Sequence, residues 1–136
     1  MEKHTLQEFI KQINMTATEK GWHEEKDKDS IFKTAISNFH GEISEVWEEY
    51  RNHRNFSEIY YECKEHVSCP ARQGNICSCS VKCTTAKPCG IPEELADVII
   101  RVLDFCAEME IDIENAILEK MKYNETREYR HGNKKA

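Results

Sequence analysis

The sequence predicts an all-α fold of four helices, with an irregular insertion between the second and the third helix. Two observations support this fold class. Apolar residues recur at the three- and four-residue spacing of an amphipathic helix in four segments, and residues that commonly cap helices precede these segments. No stretch of any length alternates apolar and polar residues as a half-buried strand does. A chain of 136 residues is typical of one domain, so we predict a single domain over residues 1–136.

The first two helices are predicted from their caps. Thr5 and Glu8 form a capping box that begins the first helix, and Gly21 is expected to end it. Ser30 is expected to cap a second helix, which ends near Arg51. The apolar arc of this second helix contains Phe32, Ala35, Ile36, Phe39, Ile43, Val46, Trp47 and Tyr50.

The last two helices follow the insertion. Pro92 lies in the first turn of the third helix, which is expected to end near Met109. Asp112 is expected to cap a fourth helix that extends as far as Arg130. Apolar residues cover most of the surface of the third helix, which is typical of a buried helix. The remaining narrow strip contains Glu94, Asp97, Arg101 and Asp104.

Pairs of carboxylates on two helices predict a metal site. Glu42 and Glu45 on the second helix are three residues apart, and so are Glu94 and Asp97 on the third. Buried carboxylates have to be protonated, paired or bound to a metal, and Arg101 alone cannot pair several of them well. On adjacent antiparallel helices the four could converge on one hard cation such as Mg²⁺. The alternative for Glu42 and Glu45 is an ordinary solvated helix face.

The insertion, at about residues 52–89, breaks the helical pattern except for a short helix predicted over Glu58–Lys64. Its cysteines are Cys63, Cys69, Cys77, Cys79, Cys83 and Cys89. They form no Cys-x-x-Cys pair, so no recognisable zinc-ribbon spacing is present. A segment this poor in apolar residues needs a staple to be ordered, and we expect a structural Zn²⁺ or an iron–sulfur cluster. Free thiols and disulfides remain the alternatives, whereas Cys106 is expected to be an ordinary core residue.

The composition argues against some classes of binding partner. The net charge of −6 argues against a general nucleic-acid binder, which needs a basic surface. No apolar run approaches the roughly 20 residues of a membrane span, and the first residues lack the apolar core of a signal peptide. We therefore expect a cytoplasmic protein that interacts with neither membranes nor nucleic-acid polymers.

Two segments together resemble the MazG-type all-α nucleoside triphosphate pyrophosphohydrolases. They are His40–Arg51 and Lys87–Arg101, and the family's signature is a Glu-Glu-x-x-Glu helix followed by a Glu-x-x-Asp helix. The matching residues are Glu42, Glu45, Glu94 and Asp97. Gly41 stands where the family's first Glu often lies, so the role of that Glu is absent here. The interval between the two motifs is also unusually long, because it contains the insertion.

The resemblance implies a MazG-like four-helix bundle that hydrolyses a ribo- or deoxynucleoside triphosphate to the monophosphate and pyrophosphate. The four matched carboxylates would hold Mg²⁺, or Mn²⁺ in its place, and one of them or Glu49 would orient or deprotonate the water. The resemblance also implies assembly into homodimers or homotetramers. The alternative is a non-enzymatic interaction module, in which a metal-stapled insertion binds a partner and the helices serve as a scaffold.

Further residues are expected to bind the substrate. The C-terminal segment resembles the family's Lys-x-x-x-Asn-x-x-Arg and His-Gly-x-Lys ending, and most of it shares one predicted helical face. The matching residues are Lys120, Asn124, Arg127, His131 and Lys134. They could bind phosphates, or they could merely complement the dipole of the helix C-terminus. Trp22 could stack on a base or pack locally, and Lys33 is expected to face the phosphates.

Overall fold

Four helices and one short hairpin make up the part of the chain that the computed structural model describes, residues 3–63, 86–130 and 135. The helices are α1 (Leu6–Glu19), α2 (Lys28–Arg51), α3 (Ile91–Glu108) and α4 (Ile113–Glu125). The strands β1 (Tyr60–Glu62) and β2 (Lys87–Cys89) pair in an antiparallel sheet. The predicted all-α class is therefore confirmed. None of the described helices combines the length and the apolar character needed to cross a bilayer.

The chain divides into two compact units, and the division falls within α3. One unit consists of Met1–Lys26 and Leu103–Ala136, and therefore contains α1, α4 and the end of α3. The other unit consists of Asp27–Val102, with α2, the hairpin and most of α3. All four predicted metal ligands belong to this second unit.

Local hydrogen bonds explain where the first two helices begin. The predicted capping box is present, because Thr5 Oγ1 accepts from the Glu8 amide at 3.2 Å and the Glu8 carboxylate accepts from the Thr5 amide at 2.7 Å. Ser30 was wrongly predicted to cap α2. Asp27 is the cap, and its carboxylate accepts from both the amide and the hydroxyl of Ser30, at 2.9 and 2.8 Å. A carboxylate interacts favourably with the positive end of the helix dipole, so α2 begins at Lys28.

The boundaries of α3 and α4 agree with the prediction except at the end of α4. Asp112 caps α4 as predicted, accepting from the Asn115 amide at 3.2 Å. The helix does not reach Arg130, however, but ends at Glu125. The Thr126 hydroxyl donates to the Tyr123 carbonyl at 2.7 Å and so satisfies one of the carbonyl groups left at the helix end.

The hairpin replaces the short helix predicted over Glu58–Lys64, and that prediction was wrong. Tyr60, paired with Cys89, is buried, and its hydroxyl donates to the two carboxylate oxygens of Glu49 at 2.8 and 3.1 Å. The guanidinium of Arg54 lies 3.8 Å from the centre of the Tyr60 ring. These contacts hold β1 against the end of α2. Gly90 follows β2 with φ +121, and a Cβ there would collide with the backbone carbonyl oxygen of Glu58.

Several large apolar side chains of α2 and α3 are exposed in the second unit. α2 contains no buried residue, although its apolar arc predicts one buried side. Five large side chains on adjoining turns are 37–56% exposed: Phe32, Ile36, Ile43, Trp47 and Tyr50. We call these five residues the α2 stripe. Leu95, Ile99 and Ile100 of α3 are also exposed, so the prediction that α3 is buried nearly all round was wrong.

The first unit contains a polar network beside its buried residues Leu103 and Cys106. The carboxylate of Asp104 on α3 accepts a hydrogen bond from the side-chain amide of Asn14 at 3.2 Å and lies 3.0 Å from His23 Nε2. Glu108, one turn later, accepts from the same Asn14 at 3.0 Å and lies 3.5 Å from His23 Nδ1. The network ties α1 and the loop after it to the end of α3.

Candidate metal centre

Three carboxylates of the second unit converge on one point. Glu42 and Glu45 of α2 and Glu94 of α3 each offer an oxygen, and these oxygens lie within 4.8 Å of one another. The three-residue spacing in α2 places its two glutamates on one side of the helix. Oxygens that ligate one octahedral Mg²⁺ are about 3–4 Å apart, so a small contraction of this set would accommodate the ion. The structure thus brings together three of the four residues predicted as metal ligands.

Glu94 is the most constrained of the three. Its side chain is only 5% exposed, and Oε2 has no hydrogen-bond partner among the described residues. Burial raises the pKa of Glu94 to about 7. Lys87 opposes this effect, whereas the negative charge of Glu45, a hydrogen bond between the protonated Glu94 carboxyl and Glu45, and the charge of Asp97 add to it. An unpartnered buried carboxylate oxygen is costly, and a cation at the convergence point would partner it. An all-oxygen donor set of this kind suits Mg²⁺ or Mn²⁺ better than a softer metal.

Asp97 lies one turn beyond Glu94 on α3 but is not among the three converging residues. It is half-buried, and burial together with the charge of Glu42 raises its pKa. It therefore belongs to the electrostatic environment of the centre.

Two cations border the carboxylates. Arg101, which extends from α3, donates from Nε to Glu42 Oε1 at 2.8 Å. Burial alone would lower the pKa of Lys87 in β2, but the pKa is raised, because the attraction of Glu94, with further contributions from Cys89, Glu45 and Asp97, exceeds the effect of burial. Together they offset two of the four carboxylate charges, and a divalent cation would neutralise the remaining two. Sequence reasoning missed the Arg101–Glu42 pair, although the position of Arg101 one turn after Asp97 was a signal for it.

Glu49 was considered as the residue that activates the water. It accepts from the Tyr60 hydroxyl and lies 4.0 Å from Arg54 Nε, and its side chain is 14% exposed. Because Glu49 is bound to Tyr60 of the hairpin and lies near Arg54, we assign Glu49 a structural role at the end of α2.

The residues predicted to bind substrate are more scattered. Trp22, 67% exposed, belongs to the first unit. Lys33 is exposed on α2. It precedes Glu42 by nine residues, about two and a half helical turns, so the two residues lie on opposite sides of the helix. Lys120 and Asn124 lie on α4, whereas Arg127 follows the end of that helix and cannot share its face. His131 and Lys134 lie outside the described residues.

The cysteine cluster falls mostly outside the described residues as well. Cys69, Cys77, Cys79 and Cys83 all lie in the segment 64–85. Cys63 and Cys89, which flank this segment, are both buried, and burial raises the pKa of the Cys89 thiol to about 11. The predicted metal or cluster in the insertion therefore stays a prediction.

The raised pKa of Glu94 predicts an unusual dependence of stability on pH. Because the folded protein holds this proton up to about pH 7 while the unfolded chain releases it near 4.5, the metal-free protein should lose stability as the pH rises between these values. At pH 8, Glu94→Gln should be more stable than the wild type by on the order of 2–3 kcal/mol. Thermal unfolding in EDTA from pH 5 to 8 measures this, with Glu93→Gln as the matched control. A wild-type curve parallel to that of Glu94→Gln would contradict it.

Comparison of the chain with models of known protein families, with curated proteins and with solved structures gives no match. A functional assignment therefore depends on the residues of the site and on the motifs that place them.

Proposed function

We propose that this protein is a MazG-like pyrophosphohydrolase, which hydrolyses a nucleoside triphosphate between its α and β phosphorus atoms to the monophosphate and pyrophosphate. The observation that carries the proposal is the unpartnered, buried Oε2 of Glu94, a residue whose carboxylate converges with those of Glu42 and Glu45. A buried oxygen with no partner among the described residues favours a cation site over a chance cluster of acids. These residues are also the ones that match the two acidic motifs of the family.

The mechanism assigns different tasks to the charged groups. Glu42, Glu45 and Glu94 would hold the Mg²⁺ or Mn²⁺, which when bound neutralises phosphate charge and aligns the reacting groups. Asp97, outside the converging set, is the carboxylate we assign to accept a proton from the attacking water. Lys87, whose ammonium group is attracted by the same carboxylates, is the residue that we assign to donate to a phosphate oxygen.

Further residues are proposed to bind the substrate on the strength of the resemblance alone. Trp22 offers an exposed ring on which a base can stack. The residues assigned to the phosphates are Lys120, Asn124, Arg127, His131 and Lys134. Of the described members of this set, Lys120 and Arg127 both have their cationic groups within 6 Å of the Tyr123 ring, at 5.5 and 5.8 Å. Such contacts restrict two long side chains at the end of α4.

We also propose that the functional form is a homo-oligomer in which the α2 stripe is covered by a second copy of the chain. A helix gains most of its stability from packing its apolar side, and α2 has no buried residue within one chain. Because Glu42 and Glu45 lie on this same helix, covering the stripe would also hold the metal ligands in place.

The proposed reaction is tested with a panel of ribo- and deoxynucleoside triphosphates in the presence of Mg²⁺. We expect equal amounts of monophosphate and pyrophosphate, and no release of inorganic phosphate. Ion-exchange chromatography separates these products and so identifies the bond that is cleaved. Diphosphate and inorganic phosphate as products would contradict the proposal. No turnover of any nucleotide by folded, metal-loaded protein would favour the interaction module instead.

A further inference from the structure

We propose that Tyr60 is a positioning residue, whose hydrogen bond to Glu49 holds the carboxylates of α2 and α3 at the spacing that one cation requires. The inference rests on the proposed metal centre, but it concerns what keeps the centre assembled and not the reaction. It starts from a buried contact that the proposed mechanism does not use, the one between β1 and the end of α2.

The Tyr60 hydroxyl holds β1 against α2. It donates to both oxygens of the Glu49 carboxylate, at 2.8 and 3.1 Å. Tyr60 is 8% exposed and the Glu49 side chain 14%, so water competes poorly for this hydrogen bond. Burial, followed by the hydrogen bond and the charge of Glu49, raises the pKa of Tyr60, so the hydroxyl keeps its proton at neutral pH. Because Glu49 follows Glu45 by one helical turn on the same side of α2, the contact lies next to a candidate metal ligand.

The same strand is fixed to α3 through Gly90. A Cβ on Gly90 would collide with the backbone carbonyl oxygen of Glu58, so the chain that enters β1 lies directly against this glycine. The carbonyl of Gly90 accepts from the amide of Glu94 at 3.0 Å, in the first turn of α3. Tyr60 pairs with Cys89, the residue before Gly90, and this pairing sets the register of the two strands. The hairpin therefore connects the end of α2 to the turn of α3 that carries Glu94.

The metal centre tolerates little change in the spacing of the two helices. The candidate ligand oxygens lie within 4.8 Å of one another, and the distances in a working metal site are set to within about 0.2 Å. Along α2, Arg101 donates to Glu42 and Tyr60 donates to Glu49, so the two contacts lie on either side of Glu45. Loss of the Tyr60 contact should therefore let the centre widen on the side of Glu45.

Tyr60→Phe removes only the hydroxyl and keeps the ring over which the Arg54 guanidinium lies. We expect its Mn²⁺ affinity to fall by about 10-fold or more, a loss typical of changes to residues that orient metal ligands. Glu49→Ala removes the acceptor and should cause a similar loss. The amide oxygen introduced by Glu49→Gln can still accept from Tyr60, so this variant should stay within about threefold of the wild type. Tyr60→Phe combined with Glu49→Ala should bind as weakly as either single variant, because both remove the same contact.

The experiment measures free Mn²⁺ by electron paramagnetic resonance on the full-length chain without any nucleotide, and thermal unfolding of each variant in EDTA. Two controls separate positioning from lost stability. Tyr61→Phe makes the same change at the next residue, which is 42% exposed on the other face of the strand, and it should bind Mn²⁺ as the wild type does. Asn14→Ala removes two hydrogen bonds of the first unit, so it should lower the unfolding temperature and leave the Mn²⁺ affinity unchanged.

Wild-type affinity in Tyr60→Phe, or a loss in Glu49→Gln as large as that in Glu49→Ala, would overturn the inference. An equal loss of affinity in Asn14→Ala would overturn it too, because affinity would then follow stability alone. Unfolded protein lowers the number of Mn²⁺ sites per chain and not the affinity of the remaining sites, so a partly folded variant does not imitate the result. Wild-type protein that shows the expected pattern against its variants but releases no pyrophosphate would refute the proposed reaction and leave this inference standing. Wild-type protein that binds no Mn²⁺ would refute both.

Discussion

Glu94→Gln is expected to abolish both metal binding and pyrophosphate release. The substitution keeps the size of the side chain but removes the charge of the most deeply buried carboxylate of the centre, whose Oε2 has no hydrogen-bond partner among the described residues. A neutral amide binds a hard divalent cation more weakly than a carboxylate does, because it carries no charge. We expect Mn²⁺ affinity and the rate of hydrolysis to fall by more than about 100-fold.

Glu93→Gln is the matched control for this result, because it removes the same charge from the same helical turn at a residue outside the converging set. It should retain Mn²⁺ binding and activity within a few-fold of the wild type. Isothermal titration with Mn²⁺ and the pyrophosphate assay are run on both variants. Full activity in Glu94→Gln would remove Glu94 from the site and with it the main support for the proposed reaction.

Trp47→Glu is expected to dissociate the protein into single chains. The five residues of the α2 stripe leave on the order of 500 Å² of mostly apolar surface exposed, more than half of the roughly 800 Å² that each partner buries in a typical stable interface. Trp47 has the largest side chain of the stripe, and its ring stacks on that of Tyr50 at 5.3 Å. A charge placed there should raise the dissociation constant by more than about 100-fold.

The α2 stripe is self-complementary when two α2 helices run antiparallel about a midpoint near Gly41. This pairing would place Phe32 opposite Tyr50 and Ile36 opposite Trp47, and Ile43 opposite the half-buried Phe39, which lies next to the stripe. A two-fold symmetric interface requires this kind of match of a surface with itself.

Sedimentation velocity of wild type, Trp47→Glu and Ser37→Glu over a range of concentrations tests the interface. Ser37 is exposed on α2 but lies outside the stripe, so Ser37→Glu should sediment as the wild type does. A wild-type protein that remains a single chain at all concentrations would refute the assembly. Dissociation of Ser37→Glu to the same extent as Trp47→Glu would instead place the interface elsewhere on α2.

The sequence predicted the helices well because their signals are local. The Thr5–Glu8 capping box and the Asp112 cap depend on residues within one turn, and both are present as predicted. The predictions failed where two neighbouring residues compete for the same role, or where contacts distant in sequence determine the local structure. Asp27 could not be distinguished from Ser30 as the cap of α2 by composition alone. The strand at Tyr60 depends on Glu49, Arg54 and the distant β2, none of which acts within a local window.

The same distinction between local signals and distant contacts applies to the candidate site. Helical spacing was sufficient to predict that Glu42 and Glu45 share a side of α2 and that Glu94 faces inward. Spacing could not predict that Asp97 stays outside the converging oxygens, or that Arg101 binds Glu42. Those features depend on how α2 and α3 are placed within the second unit, which no periodicity in either helix specifies.

The hairpin also has a consequence for how this protein can vary. Because Glu62 pairs with Lys87, the two ends of the segment between the strands lie at adjacent backbone positions. The entropy of closing a loop grows only slowly with its length, so residues could be added or lost between these two points at little cost in stability. The helices that carry the carboxylates would keep their spacing through such changes. The base of the hairpin is therefore a natural point for inserting foreign sequence or exchanging one insertion for another.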